Sequence, residues 1–284
     1  MKYLLIALLG CVCVGADSAL ADDADDADDA VKMRVLETTS GTRFGLFGNK
    51  PQSPAATFFV FATSVDEMAR TAIYTETGRL LARHGWLFVT LDPPCHGRDH
   101  KPDEPPALSG WAHRVKLGQD PVKPFTDRCR DVLDWLVANK YTDPTRVATG
   151  GTSRGGFCAL HFAASDRRVR TVVCVSPVTN LRALREFDGV TAKQTRRYDA
   201  SALASRLVGR RVWISIGNAD PRVSTDDCIA TVRSFVQAAA KASPGKPVPI
   251  ELVVGPSLGH SAIRDAYRLA GEFVLRHPKP ATKP

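Results

Sequence analysis

The sequence predicts an α/β fold, with a mostly parallel central sheet and helices on both of its faces. Short apolar runs of strand length alternate along the chain with longer segments in which apolar residues recur at helical spacing. Such alternation indicates a parallel sheet, because each parallel connection needs a crossover and the crossover is usually a helix. Of the 284 residues, 44% are apolar and 24% are charged, which is ordinary for a globular protein with room for one large domain.

The first residues predict export and are not expected to belong to this domain. A basic start is followed by an apolar run from Leu4 to Val14 and by a small-residue cleavage pattern at residues 19–21. Residues 1–21 are therefore expected to be a secretory signal peptide. The alternative is a lipoprotein signal, since the stretch that ends at Cys11 resembles a lipobox and Cys11 would then carry the lipid. We expect a bacterial periplasmic or extracellular protein, attached to the membrane only in the lipidated case.

Charge is distributed unevenly along the chain. Residues 21–30 contain six aspartates and no large apolar side chain, so a disordered acidic spacer is expected over residues 22–31. Residues 31–284 hold 37 basic and 23 acidic residues, a formal charge of +14. The arginines are scattered and no aromatic residues are interleaved with them, which argues against a nucleic-acid partner. The positive charge instead indicates attraction of anionic substrates, small or attached to a polymer such as those of the cell wall, or it serves only solubility.

The predicted domain spans residues 32–278 and is followed by a tail over residues 279–284. Its N-terminal segment, Lys32–Phe47, predicts two short antiparallel strands joined at Ser40-Gly41. Two later runs are continuously apolar, which is typical of strands buried on both faces. These runs are Thr57–Phe61 and Trp86–Leu91.

One helix is predicted between these two apolar strands. Ser64, followed three residues later by Glu67, forms a capping-box pattern that marks the start of the helix, and Gly85 marks its end. Residues 92–119 are rich in proline and glycine and predict a long irregular loop. A loop of this length in a compact domain usually has a functional role.

The second half of the domain alternates more regularly between strands and helices. The predicted strands cover residues 146–149, 169–175, 211–216 and 249–254. The predicted helices cover residues 121–140, 154–164, 225–241 and 261–276. A polar, arginine-rich insertion at residues 179–208 follows the sixth strand.

Four polar residues lie just past the ends of four different predicted strands. They are Thr63, Ser153, Asp220 and His260. The carboxyl ends of parallel strands lie at one edge of a sheet, and binding sites form at that edge. Because the four residues come from four separate strands, their convergence at one edge is topologically possible.

The segment Gly151-Thr152-Ser153-Arg154-Gly155 matches the pattern G-x-S-x-G. It follows a predicted strand and opens a predicted helix, which is the setting of a nucleophile elbow. In such a turn the serine takes a strained, left-handed backbone conformation that exposes its hydroxyl. Gly151 and Gly155 are expected because the strand and the helix nearly touch there and leave no space for side chains.

With these features the chain resembles the α/β-hydrolase family, and most closely its dienelactone-hydrolase and prolyl-oligopeptidase-like members. The resemblance covers residues 32–276. Its motifs are LDPPCHGRD at residues 91–99, YTDPTRVATGGTSRGG at 141–156, IGNADPRVS at 216–224 and GPSLGHSAI at 255–263. It implies an α/β-hydrolase fold and a serine hydrolase that works through an acyl-enzyme, without a cofactor or a metal.

The resemblance implies a catalytic triad in the chain order serine, aspartate, histidine. Ser153 is expected to be the nucleophile and His260 the base that takes its proton. Asp220 is expected to orient the imidazole and to stabilise its charged form. Asp188, in the insertion, is the alternative carboxylate.

An oxyanion hole needs hydrogen-bond donors besides the triad. The amide of Arg154, at the start of a predicted helix, is expected to be the first donor. Many relatives have a His-Gly pair after the third strand, but this chain has Ala62-Thr63-Ser64, so the amide of Thr63 or Ser64 is expected to be the second. The Arg154 side chain is expected either to face solvent or to bind an anionic substrate or the oxyanion; glucuronoyl esterases carry the same serine–arginine pair. Trp111 is expected to line the substrate pocket.

The sequence thus predicts an exported serine hydrolase that cleaves carboxylic esters. A prolyl-oligopeptidase-like peptidase and a thioesterase are alternatives within the same class. A non-catalytic binding protein on a hydrolase scaffold is an alternative of another class, because a fold does not determine function. Five cysteines follow residue 21 at wide spacings, so at least one is expected to stay unpaired within the chain and no metal site is predicted.

Overall fold

The computed structural model of the protein describes residues 32–276. The predicted signal peptide or lipoprotein signal, the acidic spacer and the tail at residues 279–284 lie outside these residues. Within them the centre of the domain is one eight-stranded sheet. Its strands are Met33–Glu37 (β1), Arg43–Phe47 (β2), Ala55–Phe61 (β3), Leu87–Thr90 (β4), Thr142–Thr152 (β5), Val169–Val175 (β6), Arg211–Gly217 (β7) and Ile250–Gly255 (β8).

The strands follow the spatial order β1-β2-β4-β3-β5-β6-β7-β8. The β1–β2 and β2–β4 pairings are antiparallel. Every other pairing, from β4 through β3 to β8, is parallel. The predicted fold class is confirmed, including the antiparallel strands at the N-terminal edge.

Helices cover both faces of this sheet. They are Val65–Met68 (α1), Ala72–Ala82 (α2), Ala107–Lys116 (α3), Val122–Ala138 (α4), Arg154–Ser165 (α5), Ala192–Thr195 (α6), Thr225–Ala242 (α7) and Ala266–Leu275 (α8). Because side chains alternate between the faces of a strand, β3 contributes to both cores. Phe59 and Phe61 belong to the core cluster that contains residues of α3, α4, α5 and α7, whereas Phe58 and Val60 belong to the cluster that contains residues of α1, α2 and α8.

The helix predicted from Ser64 to Gly85 is two helices, α1 and α2. The Ser64 hydroxyl accepts a hydrogen bond from the Glu67 amide at 3.3 Å, so the predicted N-cap is confirmed. The chain leaves helical geometry at Thr71, whose φ of −113° and ψ of 90° are extended. The apolar stripe continues across this break, which is why periodicity alone predicted a single helix.

The stretch predicted to be irregular, residues 92–119, contains helix α3. A buried ion-pair network holds it in place, since Arg114 binds the carboxylates of Glu104 at 2.5 Å and Asp99 at 2.7 Å. The hydrogen bond from Arg114 lowers the pKa of Glu104 to about 2. The sequence pattern missed this helix because two prolines precede it and Gly110 lies inside it.

Two further segments differ from or refine the predictions near the site. Helix α8 begins at Ala266 and not at Ser261, because Asp265 takes a left-handed conformation with a φ of 59°. Residues 261–265 therefore form a loop next to His260. The insertion between β6 and β7 is confirmed and folds as α6 and four short 3-10 helices. Its buried anchors include Leu181, Phe187, Tyr198 and Leu203.

All five cysteines within residues 32–276 are buried and free. Burial raises the pKa of Cys95 and of Cys228 to about 12. The same part of the chain contains no group of three or more side chains placed to hold a metal ion. None of its helices combines the length and apolar character needed to cross a bilayer.

Candidate active site

Ser153 occupies the sharp turn between β5 and α5. Its φ of 55° and ψ of −117° form a combination that residues with a side chain rarely adopt. The turn is fixed by backbone hydrogen bonds: the Ser153 amide donates to the Val175 carbonyl at 2.9 Å, and the Ser153 carbonyl accepts from the Val178 amide at 3.0 Å. The structure therefore has the backbone geometry of the predicted elbow.

The glycines around Ser153 allow β3, β5 and α5 to approach one another closely. A β-carbon added at Gly151 would lie 2.3 Å from the Phe61 carbonyl oxygen, and one added at Gly155 would lie 1.8 Å from the same atom. Both distances are far below van der Waals contact with a backbone atom that cannot move freely. The expectation that Gly151 and Gly155 must be small is confirmed.

The structure brings Ser153, His260 and Asp220 together at the carboxyl edge of the sheet. His260, in the loop after β8, places Nε2 at 2.9 Å from the Ser153 Oγ. Its Nδ1 lies 2.7 Å from Oδ2 of Asp220, which is in the loop after β7. The Asp220 side chain is fully buried and the His260 side chain is 28% exposed. The imidazole thus bridges a buried carboxylate and a hydroxyl at the pocket surface.

Asp220 is held by its own loop. Its Oδ1 accepts hydrogen bonds from the amides of Arg222 at 2.9 Å and Val223 at 3.2 Å, which leaves Oδ2 for His260. Hydrogen bonds from backbone amides stabilise and orient an ionised carboxylate. Asp188, the alternative carboxylate, is an exposed residue of the insertion, and the structure pairs His260 with Asp220.

A pocket of about 400 Å³ opens beside Ser153 and His260. Loops at the carboxyl edge of the sheet and residues of the neighbouring helices form its walls. The other lining residues are Ala62, Ile73, Tyr74, Leu108, Thr152, Arg154, Ser176, Arg222, Ser261, Ala262 and Tyr267. None of these residues is an aspartate or a glutamate, and two are arginines.

Much of the apolar wall of this pocket was not predicted. Ile73 and Tyr74 lie on α2, and Tyr267 lies on α8. All three belong to helices whose apolar residues a sequence pattern assigns to the core. The signal that could have drawn attention to Tyr267 is its polar tip, which needs a partner when the ring is buried; its hydroxyl accepts a hydrogen bond from the Thr152 hydroxyl at 3.2 Å.

The two arginines of the pocket differ in their partners. Arg222 makes a two-point ion pair with Glu186 of the insertion, with nitrogen–oxygen distances of 2.8 and 2.7 Å. Arg154 donates from Nε to the Ala62 carbonyl oxygen at 2.8 Å. Among residues 32–276 no carboxylate forms an ion pair with Arg154. Its guanidinium therefore has no direct carboxylate partner in the described part of the chain.

Thr63 and Ser64 lie behind the pocket wall. Both are buried, and both hydroxyls donate to Oε2 of Glu67. Ala62, one residue earlier, is the residue of this loop that lines the pocket. The structure thus places the loop next to Ser153, and the assignment of an oxyanion donor to the amide of Thr63 or Ser64 stays a prediction.

Trp111 does not line the pocket, and the prediction that it does is wrong. Its side chain is fully buried on the inner face of α3, and the indole Nε1 donates a hydrogen bond to the Pro94 carbonyl oxygen at 2.5 Å. Its ring packs on Phe157 with a centroid distance of 5.3 Å. The burial follows from the formation of α3, which presents Leu108 to the pocket and Trp111 to the core.

Comparison with known families accounts for this geometry. The model of the prolyl oligopeptidase family matches residues 110–276, which is more than half of the chain. The matched range includes the hydrogen-bonded set of Ser153, His260 and Asp220. The chain belongs to the prolyl oligopeptidase family. It is therefore a member of a family of serine hydrolases with the α/β-hydrolase fold, as the sequence motifs implied.

Solved structures of both peptidases and esterases resemble this family member. Dipeptidyl peptidase 4 from Porphyromonas gingivalis has a TM-score of 0.62 at 16% identity, with 87% of this chain and 35% of that chain covered. An acylaminoacyl peptidase from Pyrococcus horikoshii has a TM-score of 0.64 at 12% identity, with 90% and 43% covered. An acetyl xylan esterase from Paenibacillus sp. R4 has a TM-score of 0.60 at 18% identity, with 90% and 86% covered.

These likenesses extend to the fold alone, because all three identities are low. The prolyl oligopeptidase family member described here spans 35% of the dipeptidyl peptidase and 43% of the acylaminoacyl peptidase. No curated protein sequence matches the chain.

Proposed function

We propose that the protein is a carboxylic ester hydrolase that acts through an acyl-enzyme on Ser153. The observation that carries this proposal is the continuous set of hydrogen bonds from the Ser153 hydroxyl through His260 to the buried Asp220. A serine hydroxyl is a weak nucleophile unless a neighbouring base takes its proton. His260 is in hydrogen-bonding contact with that hydroxyl and is held by a carboxylate, as such a base must be.

The proposed first step is attack of the Ser153 Oγ on the ester carbonyl carbon. An ionised Asp220 only accepts hydrogen bonds, so the His260 Nδ1 carries a proton and the Nε2 lone pair faces the hydroxyl. As the new carbon–oxygen bond forms, His260 Nε2 takes the proton, and Asp220 stabilises the resulting imidazolium. His260 then returns this proton to the leaving alkoxide, and the acyl group stays on Ser153.

The proposed second step reverses these roles with water. His260 takes a proton from the water molecule that attacks the acyl-enzyme carbonyl, and it returns this proton to the Ser153 Oγ as the acid leaves. In both steps the negative carbonyl oxygen is stabilised by the Arg154 amide, at the N-terminus of α5, and by a second amide from Thr63 or Ser64. Loss of one such donor usually lowers the rate about 100-fold or more.

Hydrolysis of peptides is the second candidate, and the family match favours it. Capture of a peptide by its free N-terminus would need a carboxylate to pair with the ammonium group. The residues that line the pocket include no aspartate or glutamate, which supports an ester over an exopeptidase substrate. A thioester substrate would be cleaved by the same steps.

The test is turnover of p-nitrophenyl acetate by the wild type and by Ser153→Ala. We expect Ser153→Ala to lower the rate at least about 1000-fold. Ser234→Ala, on the exposed face of α7, is the matched control and should keep the wild-type rate. Equal slow rates in the wild type and in Ser153→Ala would contradict the proposal and support a non-catalytic binding protein.

A parallel panel of p-nitroanilides separates the two candidate functions. It should contain both free and acylated N-termini, with proline or alanine beside the scissile bond. We expect turnover of esters and negligible turnover of anilides. Anilide turnover within tenfold of the ester rate would assign the protein to the peptidases.

A further inference from the structure

We propose that the ester substrate carries a carboxylate and that the Arg154 guanidinium binds this group. The proposal rests on the proposed ester hydrolysis and names the class of substrate that the same pocket accepts. It concerns a part of the substrate that does not react, so it can be tested separately from the chemistry at Ser153.

The charge balance of the pocket supports this proposal. Arg154, Arg222 and His260 line it, and no carboxylate does. Glu186 compensates the charge of Arg222 through a two-point ion pair, whereas Arg154 has no ion-pair partner among residues 32–276. A half-buried cation is more stable when an anion accompanies it, so a carboxylate on the substrate would supply what the described chain does not.

Neighbouring groups do not supply that anion. Glu67 is the carboxylate that follows this loop in α1, and it accepts hydrogen bonds from the hydroxyls of Thr63 and Ser64. His96 is buried with its Nδ1 at 2.8 Å from the Pro94 carbonyl oxygen, and burial, aided by the Arg154 charge, lowers the pKa of His96. Neither Glu67 nor His96 forms a hydrogen bond or an ion pair with Arg154 among residues 32–276, so its guanidinium keeps no direct anionic contact there.

The position of the guanidinium fits a carboxylate partner. A guanidinium has five N–H donors in a planar fork, and Arg154 uses the Nε donor on the Ala62 carbonyl oxygen. This bond fixes the plane of the fork against the loop after β3. No group within residues 32–276 accepts a hydrogen bond from the two terminal nitrogens, which leaves them available for a bidentate contact. Because Arg154 directly follows Ser153, the bound carboxylate would lie near the scissile ester.

The overall charge acts in the same direction at longer range. Residues 31–284 carry a formal charge of +14, and a positive field raises the encounter rate with anionic substrates. This contribution is not specific to Arg154 and is weakened by salt. The experiment therefore compares matched substrates in one buffer, at low and at high ionic strength.

Two pairs of esters test the proposal, one for each side of the scissile bond. The acyl-side pair is the p-nitrophenyl monoester of glutaric acid and p-nitrophenyl pentanoate, which differ by a carboxylate in place of a methyl group. The alcohol-side pair is para-acetoxybenzoate and para-acetoxybenzamide. The measured quantity is the ratio of kcat/KM for the anionic ester to kcat/KM for its neutral partner, after subtraction of spontaneous hydrolysis.

The wild type is expected to prefer the anionic member of at least one pair by about tenfold, since a hydrogen bond to a charged group is worth that much. Arg154→Gln should bring this ratio close to one, and Arg154→Lys should leave an intermediate ratio because it keeps the charge and loses the fork. Arg233→Gln removes the same charge from the exposed face of α7 and should keep the wild-type ratio. Thermal unfolding of each variant verifies that it is folded.

Two results would overturn the proposal while leaving ester hydrolysis intact. One is a wild-type ratio near one for both pairs. The other is an Arg154→Gln variant that loses activity on the anionic and neutral esters in equal proportion, which would assign the side chain to the oxyanion. Failure of the wild type to hydrolyse any ester, p-nitrophenyl acetate included, would instead overturn the proposed function and this proposal together.

Discussion

A β-carbon at Gly155 would lie 1.8 Å from the carbonyl oxygen of Phe61, the last residue of β3. Gly155 is in the first turn of α5, directly after the elbow that presents Ser153. The position of Ser153 therefore depends on a contact between a helix and a strand that leaves no space for a methyl group.

Gly155→Ala is expected to destabilise the protein by about 2 kcal/mol or more, because overpacking against backbone forces both elements apart. The sign of the change in the free energy of unfolding is informative, because alanine in place of a glycine within a helix usually stabilises a protein by up to about 1 kcal/mol. Urea unfolding of the variant and the wild type measures the difference. An unchanged or higher unfolding midpoint would show that α5 does not pack on β3 as described.

Asp220→Asn is expected to lower kcat for p-nitrophenyl acetate on the order of 1000-fold or more with little change in the unfolding temperature. The amide can donate to His260 Nδ1, which favours the tautomer whose Nε2 carries a proton and cannot accept one from Ser153. Asp188→Asn is the matched control, because Asp188 is the exposed alternative carboxylate. Loss of activity in Asp188→Asn with retention in Asp220→Asn would reverse the assignment.

Asp199→Asn is expected to stabilise the protein at neutral pH. Burial, and secondarily the charge of Asp227, raises the pKa of Asp199 from 3.8 to about 6, and its Oδ1 is buried without a hydrogen-bond partner among the described residues. The folded state therefore holds the Asp199 proton more tightly than the unfolded state does. As a result, the contribution of Asp199 to the free energy of unfolding falls as pH rises from about 4 to about 6.

The expected gain for Asp199→Asn is about 1 to 2 kcal/mol above pH 6, and it should vanish below about pH 4, where the carboxyl is neutral in both states. Urea unfolding of the wild type and of Asp199→Asn, at one pH above 6 and one pH below about 4, measures this gain. A gain that is equal at both pH values would mean that the charge of Asp199 is not its cause.

Thiol titration with dithiodipyridine tests the buried cysteines and the predicted export signal together. The native protein is expected to react at none of the five described cysteines, because burial raises their pKa values and excludes the reagent. In denaturant, the exported protein should show five thiols if cleavage follows Ala21, as we expect. Six thiols would indicate lipidation at Cys11, since Cys13 would remain, and all seven would indicate an uncleaved chain.

The sequence was sufficient to predict three site residues that lie just past the ends of predicted strands, namely Ser153, Asp220 and His260. Ser153 lies within a motif that encodes its own backbone geometry, and Asp220 and His260 each follow a strand whose apolar run is unambiguous. A parallel sheet then brings strand ends together without further information. The fold class therefore follows from the order of the elements along the chain, whereas the choice of Ser153, Asp220 and His260 as the triad also needed the resemblance to the α/β-hydrolases.

The residues that line the pocket could not be predicted from the sequence in the same way, because they depend on which face of a helix turns toward the site. Trp111 was expected in the pocket because residues 92–119 showed no regular pattern, yet α3 turns it into the core, and Leu108 is the residue of α3 that lines the pocket. Tyr74 and Tyr267 are in apolar stripes that a period of 3.6 residues cannot divide between core and pocket. Arg222 became recognisable only when the insertion supplied Glu186 as its partner.

The most direct test of the central claim is covalent labelling with a fluorophosphonate, followed by mapping of the adduct by mass spectrometry. Such a reagent requires a serine activated by a neighbouring base. We expect one adduct per chain, on the peptide that contains Ser153, and no adduct in His260→Ala. An adduct on Ser176 or Ser261, the other serines of the pocket, or no adduct at all, would contradict the assignment of Ser153 as the nucleophile.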